Sequence, residues 1–285
     1  LIQAQAVFEK IGSGQMIRLT QHLLDASRLK TLEQAQAQQK VTQELALAGR
    51  IQSSFLPIQP PNLPGWDIAV CLRPVRSTSG DYYDFIDLPN GRLGLVIADV
   101  ADKGIGAALF MTSTRTLLRA YAADHAAQPD AVLAAANRRI TADTHGGLFV
   151  TLVYAILDPV SGELLYSNAG HNPPLLYHST GEEQSLPNTG VPLGVFEDAN
   201  WGMGHVQLDP GDILVLYTDG ITEATSSQQT LFGEARLHQA IRQAALGNSG
   251  ARSEAVRAGI LKELELFTAG APQSDDITLL VLTRL

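Results

Sequence analysis

Apolar residues along this chain follow two different rhythms, and the change falls at a cluster of prolines. Up to about residue 56 the sequence is rich in Gln, Ala and Leu, has no proline and carries glycine only at Gly12, Gly14 and Gly49. That composition predicts helix. Within it, Val41, Leu45, Ala48 and Phe55 keep three-and-four spacing, a thin apolar stripe that Gln52 interrupts. A weak coiled coil and a helix packed on the following domain both fit such a stripe. Pro57, Pro60, Pro61 and Pro64 then end the helix, because proline cannot continue the hydrogen-bond ladder. The domain boundary is placed there, with a helical linker or coiled-coil regulatory segment over 1–56 and a folded domain over 57–285.

Past the prolines the pattern turns to short β-rich runs bounded by turns. It predicts strands over Trp66–Leu72, Tyr82–Leu88, Leu93–Asp99, Leu148–Leu157, Leu164–Asn168, Ile213–Thr218 and Ile277–Leu282. Asn90-Gly91 and Ser161-Gly162 lie between paired runs and predict hairpins. Helical spacing covers Ala107–Ala123, Asp130–Asp143, Glu234–Ala245 and Arg252–Phe267. Hairpin strands with helices in pairs indicate an α+β fold built on a largely antiparallel sheet.

Composition narrows the function classes. With 45% apolar and 17% charged residues among 285, the chain can bury a substantial core. Its one cysteine, Cys71, excludes an intrachain disulfide and a cysteine-based zinc site, and is expected in the core. A formal charge of −9 with scattered Lys and Arg argues against a nucleic-acid partner. The longest apolar stretch, Leu148–Leu157, is too short to span a bilayer, and no signal-peptide pattern opens the chain, so a cytoplasmic protein is expected. The first residue is Leu rather than Met, which leads us to expect a piece of a longer protein with an upstream sensor or membrane segment.

The candidate chemistry lies where strands stop. Four acidic clusters stand there: Gly80-Asp81-Tyr82-Tyr83-Asp84, Asp99-Val100-Ala101-Asp102-Lys103-Gly104, Thr218-Asp219-Gly220 and Ser274-Asp275-Asp276. Any one of them alone reads as a turn, since Asp and Gly are the ordinary turn residues. Four on one β-rich domain suggest carboxylates gathered around a divalent cation, the usual compensation for burying like charges together. A donor set of oxygens without His or Cys favours Mg²⁺ or Mn²⁺ over zinc.

The ordered set of these clusters, together with Ala169-Gly-His-Asn-Pro-Pro, Tyr217-Thr-Asp-Gly-Ile-Thr-Glu-Ala and Asp275-Asp-Ile-Thr, resembles the metal-dependent serine/threonine protein phosphatases (PPM), in their bacterial SpoIIE/RsbU branch. The resemblance runs from about Ile51 to Leu285. It implies a β-sandwich flanked by helices with two Mn²⁺ or Mg²⁺ ions at one end. By position, Asp99 would bridge both ions and the Val100 carbonyl would face one of them. Asp219 and Asp275 would complete the second ion's ligands, and Asp81 would hold the first directly or through water. Asp276 is expected to tune the last ligand, and Gly220 to turn tightly beside the metals. Arg76 is open to gripping substrate phosphate or to standing as an exposed loop arginine. Asp84 and Asp102 are open to supporting the ligands or to solvated turns, and His171 is expected to cap a turn. Eukaryotic relatives carry a histidine where this chain has Ala101, which leaves the acid for the leaving group unassigned. The implied substrate is a phosphorylated anti-sigma-factor-antagonist type of protein, with pairing through the N-terminal helix as a route to a homodimer. A catalytically silent partner-binding module and a small-molecule phosphoesterase are the competing expectations.

Overall fold

A computed structural model describes residues 13–143, 147–246 and 253–285. The predicted N-terminal helix is therefore followed from residue 13, and the first residues of that expectation, with Arg252, lie outside the described residues. Helix α1 (Ser13–Phe55) is 43 residues long. Straight-chain side chains that lose little freedom in a helix, and the lack of proline, account for its length. Contacts divide the chain after Leu47, and the compact unit Ala48–Leu285 takes in the last two turns of α1. In the other unit Leu19, Leu23, Leu24, Leu29, Leu32 and Val41 are exposed.

The compact unit is built on two antiparallel sheets of five strands each. One has the order β1 (Trp66–Arg73), β10 (Ile277–Arg284), β9 (Ile213–Tyr217), β6 (Leu175–Tyr177), β7 (Glu183–Ser185). The other has the order β2 (Tyr82–Asp87), β3 (Leu93–Val100), β4 (Val150–Leu157), β5 (Glu163–Ala169), β8 (Gly204–Gln207). Helices α2 (Ile105–Asp124) and α3 (Pro129–Asp143) cover the second sheet. A short helix α4 (Asp219–Thr222) follows β9, and α5 (Gly233–Leu246) and α6 (Ser253–Thr268) cover the first sheet.

Side chains alternate across each strand, and here both faces are buried. On β3, Leu95 and Ile97 pack between the sheets with Leu214, Leu216, Leu280 and Leu282. Val96, Ala98 and Val100 point the other way, toward Met111, Leu118, Val132 and Leu133 of the helices. Val215 and Val281 meet Leu237, Ile241 and Ile260 on the far side in the same manner. Tyr82 and Tyr83 obey the same rule and fall in different cores. The result is a sandwich with helices outside both sheets: the antiparallel α+β layering follows the pattern, and the sandwich is what the family resemblance implies.

Each predicted strand and helix has its counterpart. The β2–β3 hairpin turns at Asn90 and Gly91, whose φ of 63° and 72° explain why those residue types stand there. Strands β6, β7 and β8 and the helix α4 were not predicted. They are three or four residues long, too short for a period to register. Among the described residues no helix is long and apolar enough to cross a membrane.

Candidate metal centre

Strand register brings the acidic clusters to one end of the sandwich. Tyr82 pairs with Ala98, so Asp81 before β2 and Asp99 near the end of β3 share an end of the second sheet. Tyr217 pairs with Leu279, so Asp219 after β9 and Asp275 before β10 share an end of the first. Two buried threonines join the sheets there. Thr218 Oγ1 and Thr278 Oγ1 donate to Asp81 Oδ2 at 2.7 and 2.6 Å, and Thr278 N donates to Thr218 Oγ1 at 2.9 Å. Sequence reasoning passed over both hydroxyls. Their signal was adjacency, since Thr218 precedes Asp219 directly and Thr278 lies in the Asp275-Asp-Ile-Thr motif.

Asp276, also buried, organises the loop between β1 and β2. Its carboxylate accepts from Val75 N at 2.7 Å, Ser79 Oγ at 2.7 Å and Gly80 N at 2.9 Å. A Cβ on Gly80 would lie 3.1 Å from the Val100 carbonyl oxygen, which puts that oxygen beside the Asp81 loop. Gly220 admits no side chain at all. Its Cβ would fall 1.8 Å from the Asp276 carbonyl oxygen, so the turn after Asp219 lies directly on the backbone of the last acidic cluster.

The electrostatics of this end are those of carboxylates short of positive charge. Asp81 is 2% exposed, and burial, then the charge of Asp99, raise its pKa well above the ordinary value, against the opposing hydrogen bonds of Thr278 and Thr218. Asp99 is pushed up to about 7, by burial first and then by Asp219, with Asp275 and Asp276 adding to it. Asp219 is raised by burial, Glu223 and Asp275, with Lys103 opposing. Among the described residues no Lys, Arg or His forms an ion pair with Asp81, Asp99 or Asp219. Lys103 reaches the edge of the cluster, with Nζ 2.7 Å from Asp275 Oδ2 and donating to Ser274 O at 2.9 Å. Left-handed backbone on either side, φ 86° at Asp102 and 99° at Gly104, shapes the turn that carries it.

This donor set fits a hard divalent cation. It consists of carboxylates and a carbonyl, and burial and like charge raise the proton affinity of Asp81, Asp99 and Asp219, which a cation would relieve. Among the described residues no three Asp, Glu, His or Cys side chains already converge tightly enough to grip an ion. One oxygen of Asp81 is engaged by two hydroxyls.

Other residues singled out from sequence fall in different places. Arg76 is exposed, with Nη1 3.7 Å from where a Cβ on Gly104 would stand, beside the Lys103 turn. Asp102 is exposed and accepts from Lys103 N at 2.7 Å. Asp84 needs a correction. It is 1% exposed, so it is no solvated turn, and its partners are Arg115 and Arg119 of α2 rather than the other aspartates. Arg119 donates Nε to Asp84 Oδ2 at 2.6 Å and Nη2 to Oδ1 at 2.7 Å, and Arg115 Nε stands 3.0 Å from Oδ2. Asp84 thus ties α2 to β2. His171 is corrected as well. The turn is capped by Asn168, whose Oδ1 accepts from His171 N at 2.8 Å, while the His171 ring sits buried with Nδ1 2.9 Å from Thr151 Oγ1. Burial lowers its pKa to about 4, so the ring is neutral. Cys71 packs in the core beneath α5 and α6.

Residues 89–285 match the family described as Stage II sporulation protein E (SpoIIE). Protein IcfG of Synechocystis sp. is 32% identical over 286 residues, covering 90% of this chain and 44% of that protein. Phosphoserine phosphatase RsbU of Bacillus subtilis is 31% identical over 191 residues, covering 65% of this chain and 55% of the other. The chain therefore spans about half the length of these relatives. In structure it is similar to the SiaA-PP2C domain of Pseudomonas aeruginosa, with a TM-score of 0.75 at 21% identity, covering 87% of this chain and 98% of that one. The catalytic domain of the serine/threonine phosphatase PstP, solved with two manganese ions, shares the fold at a TM-score of 0.53 and 18% identity, covering 76% and 98% of the two chains. The strand order, the acidic end of the sandwich and the extent of the match lead to one family: the chain belongs to the SpoIIE family, in the SpoIIE/RsbU branch of the metal-dependent serine/threonine phosphatases.

Proposed function

We propose that this chain hydrolyses phosphoserine or phosphothreonine on a protein, using two Mn²⁺ or Mg²⁺ ions held by Asp81, Asp99, Asp219, Asp275 and the Val100 carbonyl. The observation that carries the reading is the pair Asp81, buried, and Asp99, partly buried, whose proton affinity is raised and with which no cation among the described residues forms an ion pair. The name of RsbU, a phosphoserine phosphatase, supports the substrate class. Divalent ions at this site supply, when bound, a water acidic enough to attack phosphorus and positive charge facing the phosphoryl oxygens.

The chain's own residues do the rest. Thr218 and Thr278 fix one oxygen of Asp81 and leave the other to a ligand. Asp276 fastens the loop that leads into Asp81. Arg76, exposed beside the same turn, binds the substrate's phosphoryl group through its planar fork of donors. No side chain is assigned as the acid for the leaving hydroxyl, since Ala101 stands where the resemblance places a histidine in eukaryotic relatives. The catalytic unit is placed at 57–285, with α1 as a helical regulatory segment whose exposed leucines support pairing with a second copy. A phosphorylated anti-sigma-factor-antagonist type of protein in the cytoplasm is the substrate this branch suggests, and an upstream sensor is the partner.

Phosphate release from such a phosphoprotein, measured with Mn²⁺, with Mg²⁺ and with EDTA, tests the reading. Turnover is expected with either ion and is lost on chelation. Undiminished turnover in EDTA overturns the metal assignment. Turnover of nucleotides without turnover of phosphoprotein favours a small-molecule phosphoesterase, and binding of phosphoprotein without turnover favours a silent module.

A further inference from the structure

The glutamine that breaks the apolar stripe of α1 is buried. Gln52 is 7% exposed, while its neighbours Ile51 and Ser53 face solvent. Its carboxamide closes a ring with one backbone residue of the loop before β2: Nε2 donates to Ser79 O at 2.6 Å, and Ser79 N donates to Oε1 at 2.9 Å. Both polar groups of Ser79 are thereby satisfied by a single side chain, as a neighbouring strand would satisfy them. An independent observation places the helix backbone on the same loop. At Gly49, one turn earlier, a Cβ would fall 1.8 Å from the Ser77 carbonyl oxygen, so only glycine allows this approach.

The loop so clamped leads directly to the acidic end. Ser79 Oγ donates to Asp276 Oδ2 at 2.7 Å and lies 3.1 Å from both Asp81 N and Asp81 O. Gly80 N donates to the same Asp276 oxygen at 2.9 Å. Gln52 and Asp81 are therefore linked through one residue, Ser79, whose backbone faces the helix and whose hydroxyl faces the carboxylates. An apolar side chain at position 52 would have left the Ser79 amide and carbonyl buried without partners, a cost that the loop can relieve only by moving.

We propose that Gln52 is a positioning residue for the divalent-ion site: it sets the 77–80 loop, and through it the presentation of Asp81, so that metal affinity depends on the docking of the last two turns of α1. The inference rests on the metal reading of the preceding section. Residues that orient metal ligands without touching the ion change affinity by about 10- to 100-fold when replaced.

The test is calorimetric Mn²⁺ binding to the full chain, parent against Gln52→Leu, with thermal midpoints in EDTA recorded alongside. Leu164→Ala, in the sandwich core at the opposite end of β5, serves as a variant that loosens the fold without touching the loop. Gln52→Leu is expected to weaken Mn²⁺ binding about tenfold or more, and Leu164→Ala to leave it unchanged. Gln52→Glu, which keeps the acceptor for Ser79 N and loses the donor to Ser79 O, should fall between and decides the matter if the leucine variant does not fold. A glutamate variant and a leucine variant both within about twofold of the parent overturn the proposal, as does an equal loss in Leu164→Ala. A parent that binds no Mn²⁺ overturns the metal reading and this inference with it, and is distinguished by appearing before any variant is made.

Discussion

Asp81 and Asp84 stand three residues apart at the start of one strand, are 2% and 1% exposed, and are neutralised in opposite ways. Asp84 is gripped by two arginines of α2, one of them through two parallel hydrogen bonds. Among the described residues the Asp81 carboxylate accepts only from the hydroxyls of Thr218 and Thr278, both on one oxygen, and the charge that acts on it most is that of another carboxylate, Asp99. A carboxylate that serves the fold is completed by the fold's own cations. One completed by neutral donors and crowded by like charge is balanced by protons or by something from outside. Both are buried aspartates, one just before β2 and one within it, and only their surroundings separate the structural one from the chemical one.

Replacing one carboxylate of each kind is the strongest way to break the comparison. Asp99→Asn, in the same cluster as Asp81, should lower kcat on the order of 10²- to 10³-fold or more while the metal-free protein stays folded, because the amide keeps the shape and removes ligand charge. Asp84→Asn should do the reverse. It strands two arginine charges against a buried amide, and is expected to cost about 3 kcal/mol in denaturant unfolding with Mn²⁺ affinity kept. If Asp84→Asn loses metal as Asp99→Asn does, the two carboxylates belong to one system and the distinction fails.

The titration of the cluster gives a second, smaller effect. Raised folded-state pKa values mean that Asp81, Asp99 and Asp219 bind protons more tightly in the fold than in the unfolded chain. For Asp99, stability of the metal-free protein therefore falls as pH rises from the ordinary 3.8 toward about 7, and levels off above that. His171 acts with the opposite sign, since its pKa is lowered from 6.5 to about 4, so its contribution is complete above the upper value and is lost as pH falls through the lower. The two oppose each other in midpoints taken in EDTA. The Mn²⁺-induced shift separates them, because the ion replaces protons on the carboxylates and not on the histidine. That shift should grow by roughly 4 °C or more between about pH 5.5 and about pH 7.5. A shift independent of pH would mean that the buried carboxyls are not ligands.

How much of this was legible beforehand follows from the range of the interactions. The strands Leu93–Val100 and Ile277–Arg284 are apolar on both faces and announce themselves in the local pattern, and the aspartates at their ends are visible because a carboxylate there breaks the apolar run. The short strands at the far edges carry few buried residues and no period. Thr218 and Thr278 were invisible for another reason: they meet Asp81 from 137 and 197 residues away, through a register that only the assembled sheets define. Asp84 was misjudged because its arginines lie 31 and 35 residues on, one turn apart on a helix, and nothing local says which strand that helix faces. Gln52 was visible as a break in the stripe, but its partner, 27 residues away, was not.

The smallest expected effect concerns Lys103, which among the described residues forms an ion pair with the acidic end. Lys103 Nζ lies 2.7 Å from Asp275 Oδ2 and lowers the proton affinity of Asp219, so it supplies part of what Arg115 and Arg119 supply in full to Asp84. It stands at the edge rather than within, with a side chain 36% exposed and a flexible stem that can swing into water. A divalent ion drawing on Asp275 must displace that ammonium. Lys103→Gln should therefore tighten Mn²⁺ binding by about two- to fivefold, a modest change in keeping with a pair partly screened by solvent. The same variant should make the metal-free protein slightly less stable, because Asp275 loses its partner. Calorimetry at low and at raised ionic strength checks both the sign and its origin, since the gain over the parent should shrink as salt screens the lysine. Weaker binding in Lys103→Gln would show that the ammonium helps to hold the site in a ligand-ready form and does not compete with the ion, which would place Lys103 with Asp276 and Gln52 among the residues that position the carboxylates.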